Sequence, residues 1–315
     1  MAKPVLVREC GTDNPNWPTC PGHESRSSGF AFFALNIQNG SWAPLFTFDA
    51  TDLNRVTDCD ISPIDSRVYC VAGFQSNAAE RFYVIRVGAV QNAGSAIAPV
   101  QVLAKLKGLL ELNRDYPPKG AGFAPGGSLH ISVEKWGYKQ ARRCCGQVLV
   151  LDGDYRVDRL QGFSDYSDAG VADLPSTAVG NFTTLPSETA EWVVGDVGVL
   201  SLGGSDIGFA MDWKGNTMWA YRRDPFEKKP LQLVAKPGST RAIPEWKQLS
   251  VWVYENRIMM ASGNSSGVWM PEVDSFDFAT VADHSAIKLQ YLGPSNVFAS
   301  EGGLNCKSSN GTQVG

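Results

Sequence analysis

Two short stretches bring together the residue types that hydrolytic chemistry needs. Ser128-Leu129-His130 sets a hydroxyl near an imidazole, and Asp283-His284-Ser285 adds a carboxylate to the same pair. A nucleophile, a base and an orienting carboxylate suit acyl transfer, but such a group is defined by geometry and not by adjacency. The chain has no G-x-S-x-G turn to raise a serine above a sheet. His130 falls mid-strand, where an imidazole more often packs in a core or an interface. No residue is therefore assigned as catalytic.

Hard cations need oxygen ligands. Thr12-Asp13-Asn14-Pro15-Asn16 and Asp152-Gly153-Asp154 offer them, but neither has EF-hand spacing. Both read first as Asx-rich turns, so the expectation is no cofactor, with Ca²⁺ as the alternative. Asn54, Glu134, Asp206 and Asn296 lie near the starts of predicted inner strands and would converge only in a closed ring. A divalent cation held there would suit a hydrolase or lactonase.

Aromatic and arginine side chains gather at the ends of predicted hairpins. Trp136 lies with Tyr138, and Trp219 with Tyr221, Arg222 and Arg223. Flat rings and guanidinium forks suit a sugar or a protein surface. Packing between neighbouring sheets is the competing reading.

Seven cysteines, Cys10, Cys20, Cys59, Cys70, Cys144, Cys145 and Cys306, include no C-x-x-C pair and no clustered histidine. Disulfides are the better reading than a zinc site. Cys59 and Cys70 flank the Asp65-Ser66 turn at nearly equal distances, which predicts a cross-strand bridge. Cys306 is expected to bond Cys10 or Cys20 as a latch, with a local Cys10–Cys20 bridge as its competitor. Cys144 and Cys145 are adjacent, so the alternatives are a strained vicinal ring, bonds to separate partners, or one bonded and one free thiol. Four N-x-S/T sequons, at Asn39, Asn181, Asn264 and Asn310, mark glycan acceptors. Cysteine usage and sequons together predict a secreted, extracellular or luminal protein. Residues 1–20 lack a leader pattern, so any leader is expected to have been removed or to precede this sequence.

The elements that must position these residues are strands. The 315-residue chain is 19% charged and carries 32 Gly and 18 Pro, a balance that favours short strands and tight turns over solvated helices. A net charge of −4 lacks the basic footprint of a nucleic-acid binder. No apolar run reaches the roughly 18 residues of a membrane span. A loose unit recurs: an alternating apolar run, a tight turn, a second run. It appears over 56–71, 120–132, 207–221, 249–260 and, in part, 296–302. The turn spacing matches units of about 40–50 residues, with one unit hidden in the widest gap, at 171–196. The expected fold is an all-β propeller of about six blades over residues 30–306. A Cys/Pro/Asn-rich segment, 1–29, should pack on the closing blade, and 307–315 should form a flexible tail. N-terminal outer strands, including 31–35, should pair with the C-terminal inner hairpin, which removes an exposed edge.

Residues 33–71, with the Leu35-Asn36 to Gly40 turn and the run Asp60-Ile61-Ser62-Pro63-Ile64-Asp65-Ser66-Arg67-Val68-Tyr69, resemble an extracellular six-bladed propeller domain family of unknown function. Its repeats run "aldp-tG … n-la-sp-dg-lYgv". The resemblance implies the fold and brings no active site with it. The functional expectation is a non-catalytic binding or assembly module for a protein or glycan ligand, within a larger surface structure. The alternatives are a lectin and the cation-dependent hydrolase or lactonase.

Overall fold

Runs rich in Val, Ile, Phe, Trp and Tyr, punctuated by Gly, Asn and Asp, form strands in a computed structural model of the chain. The structure describes residues 5–13, 15, 18–22, 29–49, 53–75, 80–88, 97–105, 118–136, 143–151, 182–184, 196–212, 216–223, 225, 227–239, 241–244, 249–262, 267–295 and 300–303. These residues hold twenty strands and no helix.

The strands group into five antiparallel units of four. The first contains β1 (Val5–Cys10), β2 (Gly29–Asn36), β3 (Ser41–Asp49) and, from the far end of the chain, β20 (Ser300–Gly303). The second is β4 (Leu53–Ile61), β5 (Val68–Gln75), β6 (Glu80–Val87) and β7 (Ile97–Lys105). The third is β8 (Pro118–Phe123), β9 (Leu129–Trp136), β10 (Arg143–Leu151) and β11 (Phe182–Thr184). The fourth is β12 (Val197–Leu202), β13 (Ser205–Asp212), β14 (Thr217–Arg222) and β15 (Glu227–Ala235). The fifth is β16 (Leu249–Tyr254), β17 (Arg257–Ser262), β18 (Val268–Pro271) and β19 (Ser285–Gly293).

Outer strands join units in pairs. β3 bonds β7 in parallel, and β15 bonds β19 in parallel, which makes two eight-stranded sheets. Each curls until its end strands touch, β20 against β4 and β12 against β16, and so becomes nearly closed and barrel-like. Each encloses its own core, one around Phe32, Val56 and Ile85, the other around Phe209, Val251 and Trp269. The four-stranded sheet stands between them: β8 touches β4 on one side and β12 on the other. β16 also touches β20, so the five innermost strands form a ring.

Turn chemistry holds the register. The β12–β13 turn, Gly203-Gly204, and the β16–β17 turn, Glu255-Asn256, have positive φ at both central residues. That is the twist a two-residue hairpin turn needs.

Among the described residues the strands make five such units; of 171–196, where a further unit was expected, only 182–184 and 196 are described. The unit read over 207–221 spans the second and third strands of the fourth sheet unit, one turn later than its counterparts; the matching first turn is Gly203-Gly204. Residues 182–184, inside the stretch where a sixth unit was expected, are instead the fourth strand of the third unit, set far from β10 in sequence.

Closure is also redrawn. The C-terminal stretch contributes the single strand β20, with Ser300–Gly303 as strand and not as turn. The N-terminal stretch contributes three strands, and β1 lies inside the segment expected only to pack over the sheet. The chain ends therefore share one sheet, β20-β1-β2-β3, with 31–35 in its third strand.

Cys59 and Cys70 sit directly opposite each other on β4 and β5 and are disulfide-bonded, with a Cα–Cα distance of 4.0 Å. The expected latch to Cys306 is overturned: Cys10 bonds Cys20, which leaves neither for Cys306. The shorter loop prevails because β1 ends at Cys10 and its chain turns back at once over β2. Cys20 is thereby brought into the small core of Ala31, Phe33 and Trp42. Cys306 lies outside the described residues, as do the side chains of Cys144 and Cys145.

Candidate functional site

The innermost strand of each unit is a sheet edge, with N–H groups that no further strand accepts. Buried donors of this kind need acceptors. Acidic side chains at the centre of the ring supply them. Asp58 and Asp60 lie two residues apart on β4, so both leave the same face of the strand. Cys59, between them, points the other way into the core and is tied to β5. The disulfide thus holds the register that aims both carboxylates at β8.

Asp58 Oδ2 accepts the Ala121 N–H at 2.6 Å, and Asp60 Oδ2 accepts the Phe123 N–H at 2.6 Å. Their second oxygens accept the N–H groups of Cys59 and Ile61, at 2.8 and 2.7 Å. Asp196, immediately before β12, repeats the arrangement across another junction. Its Oδ2 accepts the Val251 N–H of β16 at 2.5 Å, and its Oδ1 accepts the Val197 N–H at 2.7 Å. All three aspartates are buried.

Glycines let the third and fourth units approach. A Cβ on Gly120 would stand 2.0 Å from Asp196 Oδ1 and 2.6 Å from Asp196 Cα. A Cβ on Gly122 would stand 2.8 Å from the Val197 carbonyl oxygen. Asp58 and Asp196 meet the same stretch of β8, at Ala121 and Gly120. Burial raises the pKa of Asp58 well above the usual carboxylate range, and the charge and hydrogen bond of Asp196 raise it further. Burial also raises Asp196, while the bond from Asp58 and those from Val251 and Val197 favour its ionised form.

The hydrolytic stretches resolve differently. Ser128 Oγ lies 3.2 Å from His130 Nε2, within hydrogen-bond reach. The other ring nitrogen, Nδ1, meets the Tyr221 hydroxyl at 2.9 Å, where a hydrolase would present a carboxylate. His130 and Tyr221 are buried together between the third and fourth units, so His130 is a satisfied interface histidine. His284 is exposed in a turn with φ 59°, and its N–H bonds the Pro230 carbonyl.

Of the expected ligand-binding residues, Trp219, Tyr221, Arg222 and Arg223 lie on and just after β14. Tyr221 is fully buried, so its expected binding role is replaced by a packing one, with its ring over Gly208. Trp219 is half-buried, with the Lys228 ammonium 5.6 Å from its ring. Arg222 pairs with Glu227 at 2.9 Å and lies 5.3 Å from the Phe278 ring; Arg223 beside it is half-buried. Of the four residues considered for a cation, only Asp206 has a described side chain, half-buried next to Gly126 at the turn end of the third unit. Asn296, Tyr138, Asn181, Asn264, Asn310, Asn14, Asn16, Asp152 and Asp154 lie outside the described residues, and so do the side chains of Asn54, Glu134 and Trp136. Asn39 is exposed in the β2–β3 turn.

Sequence reasoning missed Asp58, Asp60 and Asp196. The signal for the first two was present: carboxylates that alternate with Cys59 between Val56 and Ile61 in a strand are candidates for burial and then need hydrogen-bond partners. Asp196 left no such trace, because its partners come from strands distant in sequence. Comparison with protein-family models gives no match, and comparison with curated proteins gives none.

Proposed function

We propose that the protein is a five-bladed propeller that works outside the reducing cytosol as a binding or assembly module, with a protein or glycan as its ligand. Two disulfides point to a non-reducing environment. Among the described residues no helix is long and apolar enough to cross a membrane. One observation carries the non-catalytic part. Each buried carboxylate at the centre of the ring has one oxygen engaged by a backbone N–H of a neighbouring strand and the other by the N–H of the next residue in its own chain. A catalytic acid or base needs an oxygen that faces a substrate; these face the fold's own backbone.

The same observation leaves recognition to the surface, where turns and outer strands present separate side chains. Ile64, 67% exposed on the β4–β5 turn beside Gly127, and Leu45 on β3 are the large apolar groups open to solvent among the described residues. Asn39 is an accessible glycan acceptor in this reading.

A glycan array probed with the full chain, alongside a panel of lactones and esters with and without added Ca²⁺, tests the proposal. Saturable glycan binding without turnover supports the module and selects the lectin form of it. Turnover that follows the added cation overturns the non-catalytic reading in favour of the hydrolase or lactonase.

A further inference from the structure

The outer strands β3 and β15 hold matching places, each the last strand of its unit and each paired in parallel with the outer strand of another unit. They also open alike, Ser41-Trp42-Ala43-Pro44-Leu45 and Glu227-Lys228-Lys229-Pro230-Leu231. In both, a proline withholds an N–H from any strand that might add outside. In β15 the residues before the proline are charged, and the parallel ladder starts at Leu231, which is fully buried.

β3 departs from this pattern. Leu45 is the extra residue of a bulge opposite Phe32 and Phe33, and the ladder with β7 starts only at Thr47. Leu45 is 42% exposed, and Ala43 and Pro44 beside it are exposed as well. No charged residue lies between Ser41 and Phe46. Pro44 and the bulge discourage strand pairing, but they leave apolar surface in water at a sheet edge, which promotes association.

The same strand begins inside a sequon, Asn39-Gly40-Ser41, of which Asn39 and Ser41 are exposed. Asn39 Oδ1 accepts the Ser41 N–H at 3.0 Å, and Gly40, at φ 73°, closes the turn through its N–H to the Asn36 carbonyl. The turn uses the amide oxygen, so a sugar on Nδ2 leaves it intact.

We propose that Asn39 carries an N-linked glycan that lies over the Ala43-Pro44-Leu45 edge of β3 and does there what Glu227, Lys228 and Lys229 do on β15. The proposal rests on the reading that the protein folds outside the cytosol. Leu45 is four residues along the strand from Ser41, about 14 Å at the rise of a strand, which an oligosaccharide spans. Sugar rings can set their C–H faces on apolar side chains while their hydroxyls stay in water. The donor is an oligosaccharide on a lipid pyrophosphate. Asn39 Nδ2 bonds its anomeric carbon, the lipid pyrophosphate leaves, and one amide proton is released.

Expression of the full chain behind a cleavable leader in a eukaryotic secretory host tests this. Peptide mass mapping should find a glycan on Asn39, and Ser41→Ala, which keeps the Asn39 turn, should lose it. Sedimentation should then show Ser41→Ala associating with rising concentration more than the glycosylated chain does. Leu45→Lys added to Ser41→Ala should abolish that excess. A bare Asn39 in folded, disulfide-bonded protein would overturn the proposal and leave the extracellular reading standing. Recovery of Cys10, Cys20, Cys59 and Cys70 as free thiols would overturn both. A glycan on Asn39 whose loss leaves sedimentation unchanged, or association that survives Leu45→Lys, would show that the sugar does not cover this edge.

Discussion

The seam between the second and third units and the seam between the third and fourth meet the same difficulty in opposite ways. At the first, β4 sends Asp58 and Asp60 across to the free N–H groups of Ala121 and Phe123. At the second, β8 carries no side chain at Gly120 and Gly122, and β12 moves in until its backbone lies against them. One seam adds acceptors and the other removes atoms. Both leave the inner edge buried with its donors answered, which a ring of sheet edges demands. They should fail differently. An added atom in the glycine seam meets backbone that cannot move aside, whereas a missing carboxylate leaves a void and unbonded donors.

Gly120→Ala is the most severe way to break this contrast. Its Cβ meets Asp196 Cα at 2.6 Å, so relief requires the fourth unit to shift as a body. We expect a loss of more than about 3 kcal/mol, the upper range for overpacking, or failure to fold; urea unfolding and expression level read it. The equivalent change on the aspartate side, Asp60→Ala, should unbond the N–H groups of Ile61 and Phe123. At about 1–3 kcal/mol for each buried donor left unsatisfied, the chain should still fold, with an earlier urea midpoint. Hydrogen exchange at Phe123 should accelerate more than at Phe209, which lies in the other core.

Removing the Cys59–Cys70 bridge by replacing both residues with alanine tests whether the hairpin register aims the carboxylates. Its sequence separation is 11, and bridges closing loops of this order contribute about 2–3 kcal/mol. We expect that loss in calorimetry, together with faster exchange at Ala121 and Phe123 on the neighbouring strand. Exchange confined to β4 and β5 would show that the disulfide acts within its own hairpin alone. Tyr221→Phe makes the smallest change. It removes the hydroxyl that His130 Nδ1 meets across the glycine seam, at about 1 kcal/mol, without altering the ring that covers Gly208. A loss near zero would mean that glycine packing alone carries the seam.

Strand content, the opposed Cys59 and Cys70, and a shared sheet for the chain ends were all legible from alternation, turn residues and symmetric spacing. These features are local, or follow from the need to bury a sheet edge. The unit count was not legible, because 30 residues separate β10 from β11, and turn spacing then measures the sequence between strands as well as the sheet repeat. Cys10 found Cys20 and not Cys306 for a related reason: a nearby partner already lay over the same strand, and spacing does not say which of two neighbours a thiol faces.

By itself the sequence determined that this chain makes strands, that it forms disulfides, and that Cys59 faces Cys70 across a hairpin. Alternation and chain proximity act over a few residues, and they suffice for those conclusions. Only the tertiary structure decided that Asp58 and Asp60 are spent on the N–H groups of β8, that Asp196 reaches β16, and that Tyr221 is a buried partner of His130. Each depends on which innermost strands become neighbours when five sheets close into a ring. That choice is made by packing between segments more than fifty residues apart, and no local pattern encodes it.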